Sequence, residues 1–276
     1  MPIVDASQVR AQLADDADRT LICDVRSTMG GADPVAEFAS GHLPGAILVV
    51  LDDVLATAPA GIGGRHPLPT PTAFASALGA LGVGDDDTVI AYDGRGGAIA
   101  SRLVWMLRII GRPAHLLDGG ITGWDGEIET GHGRRRPSVS RTAVDWPVDA
   151  IARADEVVDH VQAGGVVIDS REAARYAGEV EPIDAVAGHV PGAVNLPFAD
   201  NLDADGRFRP PAVLAERFAE AATDVGAIVY CGSGVTACHN ALAMEHAGFA
   251  RPRVYVGSWS GWSADPDRPV AVGSEP

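Results

Sequence analysis

Cysteine is scarce in this chain, and the three present, Cys23, Cys231 and Cys238, form no CxxC pair and no zinc-finger spacing. That pattern gives neither a disulfide framework nor a metal site, and reduced thiols are expected. Positive charge is also in short supply: 21 basic residues face 37 acidic ones, for a net charge of −16. A phosphate footprint needs clustered cations, so nucleic acid and anionic membrane surfaces are excluded as partners. The single basic run, Arg134-Arg135-Arg136, lies between Gly133 and Pro137 and reads as a solvated linker. No stretch reaches the roughly 18 apolar residues of a membrane span, and Met1-Pro2-Ile3-Val4-Asp5 has neither a basic n-region nor an apolar h-region. A soluble, cytoplasmic protein is the expectation.

Apolar residues make up 46% of the 276, enough for one large core or two of ordinary size. Internal repetition favours two. Leu21-Ile22-Cys23-Asp24-Val25-Arg26 parallels Val166-Val167-Ile168-Asp169-Ser170-Arg171, each an apolar run ending in Asp-x-Arg. Gly41-His42-Leu43-Pro44-Gly45-Ala46 parallels Gly188-His189-Val190-Pro191-Gly192-Ala193 in the same order. A third match aligns Val89-Ile90-Ala91-Tyr92-Asp93-Gly94 with Ile228-Val229-Tyr230-Cys231-Gly232, so Asp93 stands where the second copy has cysteine. Gly123-Trp124 and Gly261-Trp262 follow at equal distances. The predicted organisation is a first domain over 1–126, a Gly-, Pro- and charge-rich linker over 127–150, and a second domain over 151–276.

Short β-branched runs alternate with helical patterns in both halves, which predicts an α/β fold: two tandem domains, each a parallel sheet with helices on both faces. Helices are predicted over Pro71 to Gly82, capped by Thr70 or Thr72, over Ser101 to Ile110, and over Val235 to His246. Chemistry in such sheets gathers at the carboxyl ends of the strands, where Asp93 and Cys231 fall. Cys231 follows the apolar Ala227-Ile228-Val229-Tyr230 and precedes Gly232-Ser233-Gly234-Val235-Thr236-Ala237. Converging loop N–H groups and the positive end of the following helix favour thiolate there. Cys23, inside an apolar strand, and Cys238, about 10 Å along the helix from Cys231, read as core thiols. His42 and His189, repeated in both halves, read as structural, and Trp259 and Trp262 as core that also borders the site.

Together the doubled Asp-x-Arg strand, the doubled GH[LV]PGA motif, the Cys-Gly-Ser-Gly-Val-Thr-Ala loop and the terminal Gly-Ser-Trp-Ser-Gly-Trp resemble the two-domain rhodanese sulfurtransferases over nearly the whole chain. The loop spelling is closer to the 3-mercaptopyruvate sulfurtransferases than to thiosulfate-specific enzymes, whose loop carries basic residues. The resemblance implies a silent first domain with Asp93 in the cysteine position, and a second in which Cys231 takes a sulfane sulfur as a persulfide from mercaptopyruvate or thiosulfate. An acceptor (a small thiol, cyanide or a thioredoxin-type protein) then removes it, and no metal or organic cofactor is required. By motif, Arg175 matches the family's substrate-binding arginine, with Gly232, Gly234, Val235 and Thr236 forming the loop around the bound sulfur donor. Ser233, His66 and Asp52 match the subfamily's proton relay, in which aspartate holds the histidine tautomer and histidine polarises serine. One departure stands out: Ile183 occupies the place of a second arginine after Glu181-Pro182, and Arg102 is the candidate to complete the anion site. Arg26 and Arg171, present in both halves, read as architectural ion pairs.

Other readings use the same strand, loop and helix. A cysteine phosphatase or arsenate reductase needs an arginine six residues after the nucleophile, where Ala237 stands. A redox thiol protein would have only Cys238 to resolve Cys231. A non-catalytic rhodanese-like binding or regulatory module is the alternative from a different class, since the first half shows that the fold can lose its nucleophile.

Overall fold

The computed structural model describes residues 1–221 and 223–276. Its chain divides into two units: Met1–Thr57, Leu68–Trp146 and Ala204–Phe208 form one, and Ala58–Pro67, Pro147–Asp203 and Arg209–Pro276 the other. Each therefore takes a short segment from the other half of the sequence.

Unit 1 contains β1 (Ile3–Val4), α1 (Ala6–Asp15), β2 (Thr20–Arg26), α2 (Pro34–Ser40), β3 (Ile47–Val50), α3 (Pro71–Ala80), β4 (Thr88–Tyr92), α4 (Ala100–Ile109) and β5 (Ala114–Leu117). Its sheet has the order β1-β5-β4-β2-β3 with every pairing parallel. Unit 2 repeats the scheme with β6 (Ile151–Ala152), α5 (Ala154–Gln162), β7 (Val166–Asp169), α6 (Ala173–Tyr176), β8 (Ala193–Asn195), α7 (Pro211–Phe218), β9 (Ala227–Tyr230), α8 (Ala237–His246), β10 (Arg253–Tyr255) and α9 (Ser258–Trp262). There the order is β6-β10-β9-β7-β8, again all parallel. Parallel strands need crossover helices over both faces, and so the central strands β4 and β9 are almost wholly buried and read as near-continuous apolar runs rather than alternating ones.

Local chemistry sets the helix boundaries. Asp5 and Gln8 form a reciprocal capping box at α1, and Asp33 caps α2 with Pro34 as the first helical residue. At α3 the cap is Thr70, whose Oγ1 accepts from Ala73 N at 3.2 Å. Gly82 (φ +77°) then ends that helix's turn. The helix predicted over Ser101 to Ile110 is α4, one residue earlier, and all of it but Arg108 is buried. The helix expected from Val235 begins two residues later, at Ala237, because Gly234 at φ +77° cannot continue a right-handed turn.

The repeated motifs build the same corner twice. Arg26 donates to the fully buried Asp24 at 2.5 and 2.8 Å and to the Gly41 carbonyl at 3.1 Å. Arg171 donates to Asp169, at 2.6 Å from Nη2, and to the Gly188 carbonyl at 2.6 Å. A tyrosine completes each corner: Tyr92 Oη donates to Asp24 at 2.6 Å and accepts from Leu43 N at 2.8 Å, while Tyr230 bonds Asp169 and accepts from Val190 N. The histidine of each motif bonds a helix carbonyl through Nδ1, His42 to Phe38 at 2.9 Å and His189 to Tyr176 at 2.8 Å. Each also stacks on that residue's ring, at 3.9 and 3.7 Å between centroids. These histidines and arginines are architectural, as their presence in both halves suggests.

No helix or strand intervenes between β5 and β6. The segment lies along unit 1, where Val139 N donates to Gly79 O at 2.9 Å and Arg134 N to Ala46 O at 3.1 Å. Arg134 and Arg135 are exposed, while Arg136 lies 3.9 Å from Asp87.

Replacing Arg26 by methionine leaves the Asp24 carboxylate buried without its main partner, so stability should fall by about 3 kcal/mol. Urea denaturation followed by circular dichroism measures it. A loss below about 1 kcal/mol, the range of exposed pairs, would show that the corner does not depend on this bond.

Candidate active site

β9 carries Cys231 to the carboxyl end of the unit 2 sheet, where the thiol is only 2% exposed. The left-handed Gly234 turns its N–H onto Cys231 Sγ at 3.1 Å. Three more bonds tie the nucleophile to the segment after β10. Cys231 N donates to Ser258 Oγ at 3.1 Å, Trp259 N to Cys231 O at 2.9 Å, and Ser260 N to Gly232 O at 2.9 Å. Ser258 is the one non-glycine among the described residues with a positive φ, 52°, a conformation that costs about 1 kcal/mol or more. Its Oγ also donates to Tyr255 O at 2.9 Å, so the strained turn is held at both ends.

At the equivalent place in unit 1, Asp93 accepts four backbone N–H groups: from Arg95 at 2.7 Å, Gly97 at 2.9 Å, Ile99 at 2.7 Å and Ala100 at 2.8 Å. Both carboxyl oxygens are thereby occupied by backbone donors.

Unit 2 takes its remaining site residues from Ala58–Pro67. Glycines let this loop approach the α9 region backbone to backbone. A Cβ on Gly64 would stand 2.5 Å from Gly257 O, and one on Gly261 would stand 2.6 Å from Ile62 O. Arg65 N donates to Ser260 Oγ at 3.0 Å, and the His66 Nδ1 to Ser233 Oγ distance is 2.8 Å. The chain contains no lysine, so every permanent cation is a guanidinium. Two of them converge on Gly232: a Cβ there would lie 3.2 Å from Arg65 Nη2 and 3.4 Å from Arg175 Nη1. Arg65 bonds Asp184 through Nη1, while Arg175 donates to Glu181 at 2.7 Å and reaches Asp184 at 3.4 Å. Burial pushes the Asp184 carboxyl above its ordinary range despite Arg65. Glu181 is held below its range: burial opposes ionisation, but the bond from Arg175 and the N–H groups of Asp184 and Ile183 outweigh it.

Cys231, Gly232, Ser233, Gly234, His66 and Arg175 are thus brought together, with Val235 and Thr236 completing the loop into α8. Asp52, in the turn after β3 in unit 1, accepts from Thr28 Oγ1 at 2.7 Å and Thr28 N at 3.3 Å. Arg102, also in unit 1, is fully buried rather than a helix-surface charge and donates to Leu55 O at 3.2 and 3.3 Å. Ile183 is 51% exposed and only its N–H faces the cluster, donating to Glu181. Arg65 was missed by the sequence reading, although it sits beside His66 in Arg65-His66-Pro67. So were Ser258 and Ser260, since the Gly-Ser-Trp-Ser-Gly-Trp motif served the family resemblance and only its tryptophans were given individual roles. Those tryptophans are core: Trp259 Nε1 donates to Val186 O at 2.9 Å, with the Arg171 guanidinium 4.8 Å from its ring, and Trp262 Nε1 donates to Pro269 O at 2.8 Å. Cys238 donates to Gly234 O at 3.4 Å, and burial, with Asp24 adding, pushes the Cys23 thiol up to about 12. Among the described residues no group of three or more His, Cys, Asp or Glu is arranged to hold a metal ion.

Two matching sheets, with Asp93 and Cys231 at the carboxyl end of the same strand in each, make this a tandem α/β protein. The chain belongs to the rhodanese family of sulfurtransferases: the Rhodanese-like domain matches twice, over residues 5–127 and 153–265. It is similar to a 3-mercaptopyruvate sulfurtransferase of Pseudomonas aeruginosa, 41% identical over 98% of both chains. It is also similar to the thiosulfate sulfurtransferase SseB of Mycobacterium tuberculosis, 36% identical over 96% of this chain and 95% of that one. Among solved structures, the 3-mercaptopyruvate sulfurtransferase SseA of Escherichia coli superposes with a TM-score of 0.79 at 30% identity, over 94% of this chain and 99% of that one.

A methyl group at Gly64 collides with Gly257 and needs a left-handed backbone, so Gly64→Ala should move His66 off Ser233. Sulfur transfer should fall about 10- to 100-fold, the usual effect of an ångström of misplacement. An unchanged kcat would separate the loop from catalysis. In native protein at pH 8, iodoacetamide should modify Cys231 and leave Cys23 unmodified until unfolding, as read by peptide mass. Equal labelling of both would contradict the thiol environments described above.

Proposed function

We propose that Cys231 takes sulfur from 3-mercaptopyruvate, with Arg65 and Arg175 holding the donor's carboxylate and Ser233, polarised by His66, handling the proton. The observation that carries this is the 2.8 Å contact between His66 and Ser233 two residues from the nucleophile. The Cys231 thiolate attacks the donor's thiol sulfur, forming the S–S bond. The C–S electron pair leaves as pyruvate enolate, and one proton converts that enolate to pyruvate. Thiosulfate would instead release sulfite, whose departure needs no proton. The serine–histidine pair therefore favours the donor with a carbon leaving group, and a loop without basic residues points the same way. Asp52, by resemblance to the subfamily, orients His66.

A thiophilic acceptor, such as a small thiol, cyanide or a thioredoxin-type protein, then removes the outer sulfur and regenerates the thiolate. Residues 1–126 act as the silent half, since Asp93 closes their anion site, while 151–276 carry the nucleophile. Gly232, Gly234, Val235 and Thr236 wrap the persulfide. Arg102, locked on Leu55 O, supports unit 1, and the second carboxylate cation is Arg65. A reducing cytoplasm suits the three free thiols.

After incubation with mercaptopyruvate, the peptide holding Cys231 should gain one sulfur, about 32 Da, and Cys231→Ser should gain none. Ser233→Ala should slow mercaptopyruvate turnover about 10²-fold or more and thiosulfate turnover much less. Equal slowing of both donors would remove Ser233 from the proton path.

A further inference from the structure

Asp184 lies in the anion site, yet it carries the wrong charge for one. Its side chain is 8% exposed; Oδ1 bonds Arg65 Nη1 and Oδ2 lies 3.4 Å from Arg175 Nη2, so one carboxylate spans both guanidiniums at Gly232. Around them the charges balance. Arg65, Arg171 and Arg175 are matched by Asp169, Glu181 and Asp184, the Arg171 to Asp169 and Arg171 to Glu181 contacts being 2.6 and 3.3 Å. Two N–H ends are left over beside Gly232. Arg65 Nη2 and Arg175 Nη1 have no hydrogen-bond partner among the described residues, and these are the atoms that approach Gly232.

A site with two free guanidinium ends but no net charge suits one carboxylate. A dianion beside the Cys231 thiolate meets the same donors without the surplus positive field that its second charge requires. The loop supplies no compensation, because Gly232-Ser233-Gly234-Val235-Thr236 contains no basic residue.

We infer that Asp184 is a charge selector: by neutralising one of the two guanidiniums it tunes the site to monoanionic α-keto carboxylate donors and against dianionic sulfur donors such as thiosulfate. This rests on the reading that Cys231 attacks an anionic donor held at Gly232. Mercaptopyruvate brings one negative charge and leaves as an enolate that is then protonated. Thiosulfate brings two, transfers its outer sulfur to the thiolate and leaves two on sulfite.

The test is Asp184→Asn, which keeps the side chain's shape and an acceptor oxygen for Arg65 while removing the charge. The thiosulfate to mercaptopyruvate ratio of kcat/KM should rise about tenfold, mainly through a lower KM for thiosulfate, and Asp184→Glu should return it toward the wild-type value. A ratio within twofold of wild type, with both donors weakened alike, would make Asp184 a mere brace for Arg65 and overturn the inference. Wild-type protein gives a second measurement that no folding defect can obscure: pyruvate should inhibit competitively at lower concentration than sulfate, and the reverse order would also overturn it. If Cys231 acquires no sulfur from either donor, the functional reading falls together with the selector. A persulfide that forms normally with an unchanged ratio removes the selector alone.

Discussion

Backbone N–H groups that converge at the carboxyl end of a parallel strand must be met by negative charge, and this molecule meets that demand in two ways. In unit 1 the charge is permanent and internal: the Asp93 carboxylate binds the N–H groups of Arg95, Gly97, Ile99 and Ala100. In unit 2 the same position holds Cys231, with the Gly234 N–H on its sulfur. A thiolate is an anion that can be spent as a nucleophile and regenerated, whereas a carboxylate bound four times over cannot. The two halves thus share one fold and differ at this strand end in which side chain meets the converging N–H groups.

Around that constraint the scaffold is rigid. The Asp24–Arg26 and Asp169–Arg171 pairs, each finished by a tyrosine and a glycine carbonyl, pin the strand beside the nucleophile's strand to the GH[LV]PGA turn. Buried ion pairs are weak sources of net stability but strict sources of geometry, because either charge left alone in the core is severely penalised. Cys231 N donating to Ser258 Oγ, with Trp259 N and Ser260 N donating to the Cys231 and Gly232 carbonyls, then fixes the cysteine loop against the start of α9. A positive φ at Ser258 is tolerated there because the surrounding bonds over-determine it.

Permanent positive charge in the site comes from arginine alone, since the chain has no lysine. Guanidinium groups suit this role: they stay charged when buried and present paired N–H ends to a carboxylate. Three such groups beside three carboxylates leave a site that is rich in directional donors and nearly neutral overall, a different design from one relying on bulk positive potential. Arg65 arrives from the other half of the sequence and stands against Gly232 beside Arg175.

What the sequence determined by itself was whatever depends on short-range pattern. Apolar runs ending in Asp-x-Arg, the doubled GH[LV]PGA turn, the Thr70 cap and the position of Cys231 after a buried strand were all legible, because each is encoded within a dozen residues. The start of α8 was misplaced by two residues, since Val235 and Thr236 still belong to the loop that turns around Cys231, a path set by its contacts rather than by helix propensity. Tertiary structure alone decided that Ala58–Pro67 belongs to unit 2, that Arg65 stands at Gly232 beside Arg175, and that Ser258 and Ser260 bond the backbone of Cys231 and Gly232. Those facts join residues 27 to 195 positions apart, and such contacts are fixed by glycine-to-glycine approach and by the burial of opposed charges, neither of which leaves a local signature in the chain.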